Sequence, residues 1–320
     1  MSNNSTLNSN DIVNVRCPLC GGDKHRFERT VRGYTLVRCE GCSLVFVNPQ
    51  PSFTSLMTIY QDKEDPEQLI SLYADLATDA VLAEYDRKLE QLELMLGGKG
   101  KILDFACAAG YFLERATDHG WDACGVDISD WAKKAAEKRG LHNVYIGHLA
   151  DLNFPDHHFD VVYAAQVLEH LQEPIDTLRE IYRILKPGGI LYVDVPNYQT
   201  IPIKAGKDDF YLNAPPQHIN YFTPHTLQQL LEKSEFIIDC MTSEGGLKWE
   251  NLFNRPITSD IADAYRKHDH SSNASQIAGH SNLGEKLLPM VKSILRPFVK
   301  GVLYDRAKVG ITLVAISHRA

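Results

Sequence analysis

No stretch of the sequence stays apolar for the roughly 18 residues that a bilayer crossing needs, so a helical membrane span is not expected. The opening residues, MSNNSTLNSND, lack the apolar core of an export signal. Positive charge is also short. Lys and Arg number 33 against 41 Asp and Glu, a formal net charge of −8, and no global field gathers nucleic acid or anionic lipid. These absences predict a cytoplasmic protein whose residues 1–14 form a disordered tail rich in Ser and Asn. What is present is an ordinary hydrophobic content of 44% over 320 residues, enough for one large α/β domain with an appendage.

Cysteine is scarce, seven in all, yet four are patterned: Cys17 and Cys20 in CPLC, Cys39 and Cys42 in CEGC, with eighteen residues between. A reducing compartment does not sustain disulfides. Two C-x-x-C knuckles supply four thiolates to a tetrahedral Zn²⁺. A redox dithiol instead wants one such pair at a helix start in a βαβ setting, and neither pair has that. Four thiolates leave no open position, so the ion is expected to be structural, inside a zinc ribbon over residues 15–50. From Arg16 to Glu40 six basic residues face three acidic ones. The plain reading is a solvated face; contact with RNA or an anionic substrate is the sharper one.

Residues 51–100 read as a linker after VNPQPS and then helices, with apolar periodicity over 66–96 in two segments stopped by Gly97-Gly98. From Lys101 the rhythm alternates. KILDFA, DACGVD, NVYIG, FDVVYAA and ILYVDVP read as strands; YFLERATDH, SDWAKKAAEKRG and PIDTLREIYRILKPGG read as helices. Ser129 is the expected N-cap of the second helix and Gly140 its stop. Alternation with apolar strands predicts an α/β fold, a parallel sheet covered on both faces. Ligands of such sheets lie at the carboxyl ends of the strands.

There the turn DFACAAGY stands after the first strand, and Asp127 ends the second strand, 23 positions beyond Asp104. That offset suits a carboxylate accepting from ribose hydroxyls. The dinucleotide fingerprint G-x-G-x-x-G would need glycine at Ala106, Ala108 and Tyr111, and has none. Methyl groups obstruct the close approach of a pyrophosphate, which favours a nucleoside without phosphate over NAD.

DFACAAGYFLE, FPDHHFDVVYAAQVLEHL, LREIYRILKPGGILYVDVPN and QHINYFTPHTLQQLLEKSEF occur in an order and spacing that resemble the class I S-adenosylmethionine-dependent methyltransferases, in particular the bacterial small-molecule group with an N-terminal zinc ribbon. The likeness covers residues 17 to about 240. In the family's first motif, D-x-G-x-G-x-G, this chain keeps Asp104 and Gly110 and puts Ala106 and Ala108 in place of two glycines. The resemblance implies a Rossmann-like sheet, mostly parallel with the last strand antiparallel, over residues 101–320, with a substrate loop at 196–223 and a helical insertion at 245–308.

It also implies roles. Ala106, Cys107, Ala108 and Gly110 would line the methionine part of the cofactor, with Asp104 organising its amino group. Tyr111 or Phe112 would offer an aromatic face to the sulfonium. Asp127 would bind the ribose, Ile128 would pack on adenine, and His148 and Leu149 would meet the adenine edge. Ala165 and Gln166 would end near the sulfonium. His218 is the candidate general base, with Asn220 and Tyr221 orienting the substrate and Tyr221 sharing the catalytic role. His157-His158 read as loop histidines, and Glu169-His170 as a helix-start pair suited to capping as much as to catalysis. The expected activity is methyl transfer to an O, N or C nucleophile of a small polar metabolite by a monomer or homodimer. An RNA methyltransferase gripping nucleic acid with the ribbon, and a non-catalytic ribbon protein, are the alternatives; the acidic balance argues against nucleic acid.

Overall fold

The computed structural model describes residues 11–61, 66–200, 214–244 and 312–320. Residues 1–10, residues 201–213 of the expected substrate loop and the helical insertion expected at 245–308 lie outside them. Two short strands open the chain's order: β1 (Ile12–Val13), inside the stretch expected as a tail, pairs with β5 (Gln50–Pro51). Between them lie β2 (His25–Val31), β3 (Tyr34–Cys39) and β4 (Val45–Val47), the antiparallel hairpin and third strand of the cysteine module. Helix α1 (Phe53–Gln61) stands where a linker was expected. The predicted helical pair follows as α2 (Pro66–Leu76) and α3 (Asp79–Leu96), the latter capped by the Thr78 side chain and closed by Gly97 at φ 79°.

The strands expected from Lys101 onward form as β6 (Lys101–Phe105), β7 (Asp122–Asp127), β8 (Val144–Ile146), β9 (Phe159–Ala165) and β10 (Leu185–Pro196). Their connecting helices are α4 (Tyr111–Asp118), α5 (Asp130–Lys138) and α6 (Pro174–Ile184). After a two-residue strand β11 (Asn220–Tyr221) come α7 (Pro224–Lys233), β12 (Phe236–Glu244) and β13 (Thr312–Arg319). Apolar spacing explains the helices. In α6 Leu178, Ile181 and Ile184 are buried while Asp176 and Arg179 stay wet, and in α7 Thr223 and Thr226 close a capping box ahead of Leu227, Leu230 and Leu231. Ser129 takes the N-cap position of α5 without a side-chain cap bond, and its amide donates to the Asp127 carboxylate.

One sheet of seven strands runs β12-β13-β10-β9-β6-β7-β8. β6, β7, β8, β9 and β10 are parallel, and β13 is antiparallel to both its neighbours. The expected mostly parallel sheet with an antiparallel last strand is therefore present. The strand order reverses between β6 and β9, so the crevice at their carboxyl ends is the sheet's natural ligand position.

A smaller sheet runs β11-β4-β3-β2, so the cysteine module borrows its edge strand from residues 220–221. The Val47 amide donates to the Ile219 carbonyl at 2.9 Å, and the Tyr198 amide to the Phe222 carbonyl at 2.8 Å. Val45, Val47, Tyr198, Ile219 and Tyr221 pack in one buried apolar cluster behind this seam.

Across the large sheet Gly125, Asp104, Tyr163 and Tyr192 are register neighbours on four adjacent strands and share a face. Leu89 and Leu92 of α3 and Phe112 and Leu113 of α4 cover that face. Gly125 admits α4: a Cβ there would lie 2.7 Å from Cys107 Sγ and 3.1 Å from Leu113 Cδ2. Gly125→Ala should cost about 1–3 kcal/mol by overpacking. Its thermal midpoint should fall by several degrees, at roughly 2–4 °C per kcal/mol for a domain of this size. An unchanged midpoint would show that the turn yields freely there.

Candidate functional site

The turn after β6 folds back on β7. The amides of Ala106 and Cys107 both donate to the Val126 carbonyl, at 2.8 and 3.0 Å. Ala106 (φ 65°), Ala108 (φ 47°) and Gly110 (φ 78°) all have left-handed backbone. The turn thus keeps a glycine conformation at two positions where the residue is alanine, which costs each about 1–2 kcal/mol relative to the right-handed form. Gly110 is also a close approach, since a Cβ there would meet Leu141 Cδ1 at 3.0 Å.

Two carboxylates flank this turn. Asp127 is buried, and both its oxygens are in use: Oδ2 accepts from the Ala108 amide at 3.0 Å and Oδ1 from the Ser129 amide at 2.9 Å. Burial raises its pKa, and these amide bonds oppose the shift. Asp104 is 5% exposed, and its Oδ2 has no hydrogen-bond partner among the described residues. Burial, reinforced by the Asp127 charge, pushes its carboxyl up to about 8. A buried carboxyl with an unpartnered oxygen is costly, and a cationic group that needs a carboxylate would relieve it. An ammonium such as that of an amino-acid ligand fits this donor set.

The aromatic residues expected at the sulfonium are otherwise engaged. Phe112 lies face to face with Tyr163 at 3.6 Å between centroids, inside the core. The Arg139 guanidinium lies 3.6 Å from the Tyr111 ring centroid. Cys107 contributes its amide to the turn, while its thiol is buried in the same core as Leu113 and burial raises its pKa far above the ordinary value. Leu149 is a core residue, and the exposed His148 packs its ring on Phe53 at 5.3 Å. Ile128 and Ala165 are half-buried beside the strand ends.

Gln166 leaves β9 with φ 54° and binds Asp194 twice: its amide donates to the Asp194 carbonyl at 2.7 Å and Nε2 to Oδ1 at 2.8 Å. The other Asp194 oxygen, Oδ2, lies 3.3 Å from Lys88 Nζ, and both residues are 8% exposed. Lys88 Nζ also stands 5.3 Å from the Tyr192 ring centroid. The buried Tyr85 neighbours this group: burial first, then the charges of Asp104 and Asp194, push its phenol up to about 12. Sequence reasoning missed this ion pair, although a charge inside ILYVDVP and a Lys within the apolar stripe of α3 were its traces.

The third constellation lies just past β9. Leu168–His170 form one 3-10 turn, and the segment carrying His218 docks on it. The Ile219 amide donates to the Glu169 carbonyl at 2.9 Å, and Asn220 Nδ2 to the Leu171 carbonyl at 2.7 Å. His170 and His218 meet edge to face at 4.7 Å. Burial holds the Glu169 carboxyl well above the usual range, and burial followed by His218 drives His170 down to about 3. The structure therefore brings His218 to Glu169 and His170, which the sequence had suggested separately. It does not bring Tyr221 there. Tyr221 is a buried strand residue whose ring meets Tyr198 at 5.4 Å, with burial raising its phenol, and Asn220 anchors backbone.

In the small sheet Cys17, Cys20, Cys39 and Cys42 offer sulfurs all within 4.8 Å of one another, with Cys17–Cys42 and Cys20–Cys39 each at 3.4 Å. A tetrahedral Zn²⁺ with bonds of about 2.3 Å separates its sulfurs by roughly 3.8 Å, so the residues fit the ion. A Cβ at Gly22 would lie 3.3 Å from Cys20 Sγ, so a side chain there would crowd the sulfurs. The hydrogen bond from Cys42 holds the Cys17 thiol below its ordinary value, and the same contact raises Cys42. Part of the module's basic excess is internal: Arg38 Nε donates to Glu28 at 2.8 Å.

The alanines in the turn give a direct check. Ala106→Gly removes left-handed strain and adds back some chain entropy, worth roughly 0.5–1 kcal/mol, so stability in urea should hold or rise by about 1 kcal/mol. Ala106→Val should lower it; a marked loss in the glycine variant would contradict the strained geometry.

Comparisons with known proteins agree with the fold. Residues 77–240 match the family described as "Methyltransferase domain". The protein named "Probable S-adenosylmethionine-dependent methyltransferase" of Mycolicibacterium smegmatis is 34% identical over 140 residues, 43% of this chain and 52% of that protein. The ubiquinone biosynthesis O-methyltransferase of Nitrosospira multiformis is 31% identical over 111 residues, 32% of this chain and 45% of that one. The chain spans about half the length of the curated relatives it matches. The crystal structure of a SAM dependent methyltransferase from Archaeoglobus fulgidus superposes with a TM-score of 0.50 at 20% identity, covering 75% of this chain and 93% of that one. From the third helix through the sixth strand of the large sheet, then, the molecule is a member of the methyltransferase domain family.

Proposed function

We propose that this protein transfers the methyl group of S-adenosylmethionine to a nucleophile on a small polar molecule. The observation that carries the reading is Asp104, a buried carboxyl with an unpartnered oxygen beside a small-residue turn at the switch point of the sheet. When bound, the cofactor supplies a methyl group already activated on a sulfonium. Asp104 accepts from its ammonium. Asp127 accepts from the ribose hydroxyls while keeping the Ala108 and Ser129 amides, because each carboxylate oxygen has two lone pairs. Ile128 would pack on the adenine, and His148 and Leu149 would meet its edge. Ala165 and Gln166 hold the end of β9 near the reacting carbon. Catalysis then consists of aligning the acceptor with methyl and sulfur and excluding water.

The acceptor's proton leaves through the group around His218, the candidate base, on the segment that the cysteine module grips. A small-molecule acceptor is supported by the relative named for ubiquinone biosynthesis and by the net charge of −8. Zn²⁺ at Cys17, Cys20, Cys39 and Cys42 has a structural role in this reading, stiffening the module against residues 219–222.

Two measurements test it. Asp104 is protonated below about pH 8 in the free protein, whereas an ammonium partner requires its anion. S-adenosylmethionine affinity should therefore rise from pH 6 toward pH 8, by up to about tenfold per pH unit, with release of a proton visible in calorimetry. In Asp104→Asn the affinity should drop and its pH dependence flatten; a flat profile in the native chain would remove Asp104 from the site. Cys17→Ser should release zinc, read by elemental analysis, and lower the thermal midpoint, since the four thiolates share one ion. Full metal retention would refute the four-thiolate site.

A further inference from the structure

Glu169, His170 and His218 bring one carboxylate and two imidazoles together, their ligand atoms within 4.8 Å of one another. Glu169 is 1% exposed, and neither of its carboxylate oxygens has a hydrogen-bond partner among the described residues. Its Oε1 lies 3.9 Å from His170 Nε2. His170 Nδ1 sits 3.0 Å from the Gln217 carbonyl, an oxygen that can only accept, so the proton is on Nδ1 and the lone pair on Nε2. That carbonyl bond is the usual support of a metal-ligating histidine, fixing tautomer and ring orientation.

We propose that Glu169, His170 and His218 form a second metal site, for a borderline divalent transition ion of the Zn²⁺, Fe²⁺ or Co²⁺ class. Two nitrogens and one oxygen suit such ions, whereas Mg²⁺ and Ca²⁺ call for oxygen donors throughout. Bonds of about 2.0–2.2 Å draw donors to roughly 3–3.5 Å apart, a contraction that the rotatable Glu169 side chain supplies. The ligands come from two segments, the 3-10 turn after β9 and the strap at 217–219, and the Ile219 amide bond to Glu169 locks them together. The site lies at the carboxyl end of β9, the same edge of the sheet as the turn after β6.

Three protein ligands leave coordination positions open. The catalytic consequence rests on the methyl-transfer reading; ion binding does not. An acceptor hydroxyl bound there loses its proton to solvent at a lowered pKa. An oxygen lone pair then forms the C–O bond as the C–S bond breaks, and the C–S bonding pair goes to sulfur, which leaves as the neutral thioether. With the ion in place His218 is a ligand, and the acid shift comes from the metal.

Co²⁺ titration of the full chain, followed by absorption, separates the two sites, because only the cysteine cluster gives thiolate-to-metal charge transfer. The native chain should take a second equivalent whose bands lack that charge transfer, and elemental analysis after Zn²⁺ loading should agree. Glu169→Gln and His218→Asn should each lose the second equivalent while the thiolate bands persist, which shows that the fold survives. His218 is only half-buried, so its variant reads the site even where Glu169→Gln fails to fold. A native chain that takes only the thiolate-bound ion overturns the proposal and leaves His218 as a direct base. So does a second equivalent retained in both variants. S-adenosylmethionine affinity measured in parallel is independent: its absence would sink the methyl-transfer reading and leave the ion count standing.

Discussion

The most consequential constraint in the molecule is the desolvation of a carboxyl at the middle of its sheet. Asp104 lies in a row between Gly125 and Tyr163, roofed by α3 and α4, and water cannot solvate it there. Burying such a group is unfavourable unless a partner arrives. The surrounding chain is arranged around that debt. Gly125 has no side chain, so α4 can descend; the turn adopts left-handed backbone at two alanines so that its amides meet Val126 and Asp127; and Asp127 is itself tied by two amides. A site that stores unfavourable energy in the free state has it to release on binding.

The same economy of charge recurs one strand over. Lys88 and Asp194 are both buried and paired, with Gln166 completing the acceptor's shell. Pairs of this kind contribute little net stability against an apolar replacement, but they fix geometry once formed. Here the pair links α3, β10 and the exit of β9, three elements that meet at the carboxyl edge. Glu169 and His170 extend that polar seam past the end of β9.

Much of this was legible in the sequence. Short apolar runs, the helical stripe over 66–96 and Gly97 pointed to the strands, to α3 and to its end, because those signals are local and the core obeys them. The spacing of Cys17, Cys20, Cys39 and Cys42 likewise foretold their convergence. Pairings between distant segments were not legible. Nothing in NY at 220–221 announces a strand that completes a sheet begun at residue 25, because a two-residue strand has no periodicity. Tyr221 therefore looked like a site residue and is a packing residue. Phe112 and Cys107 stand within the DFACAAGYFLE motif, yet their side chains pack in the core: Phe112 faces the sheet from the first turn of α4, and the Cys107 thiol lies beside Gly125. Lys88 was hidden because a lysine on a helix is ordinarily read as solvent-facing.

The borrowed strand has a consequence for how the chain assembles. Residues 45–47 cannot complete their sheet until residues 219–221 exist, so the N-terminal module remains open at one edge while the parallel strands of the large sheet are being made. Closing so long a loop costs little more free energy than closing a short one, about 0.6 kcal/mol per doubling, but it delays the event. Any disturbance of the cysteine knuckles would be felt through that seam by His218, about two hundred residues downstream in the chain yet one strand away in space.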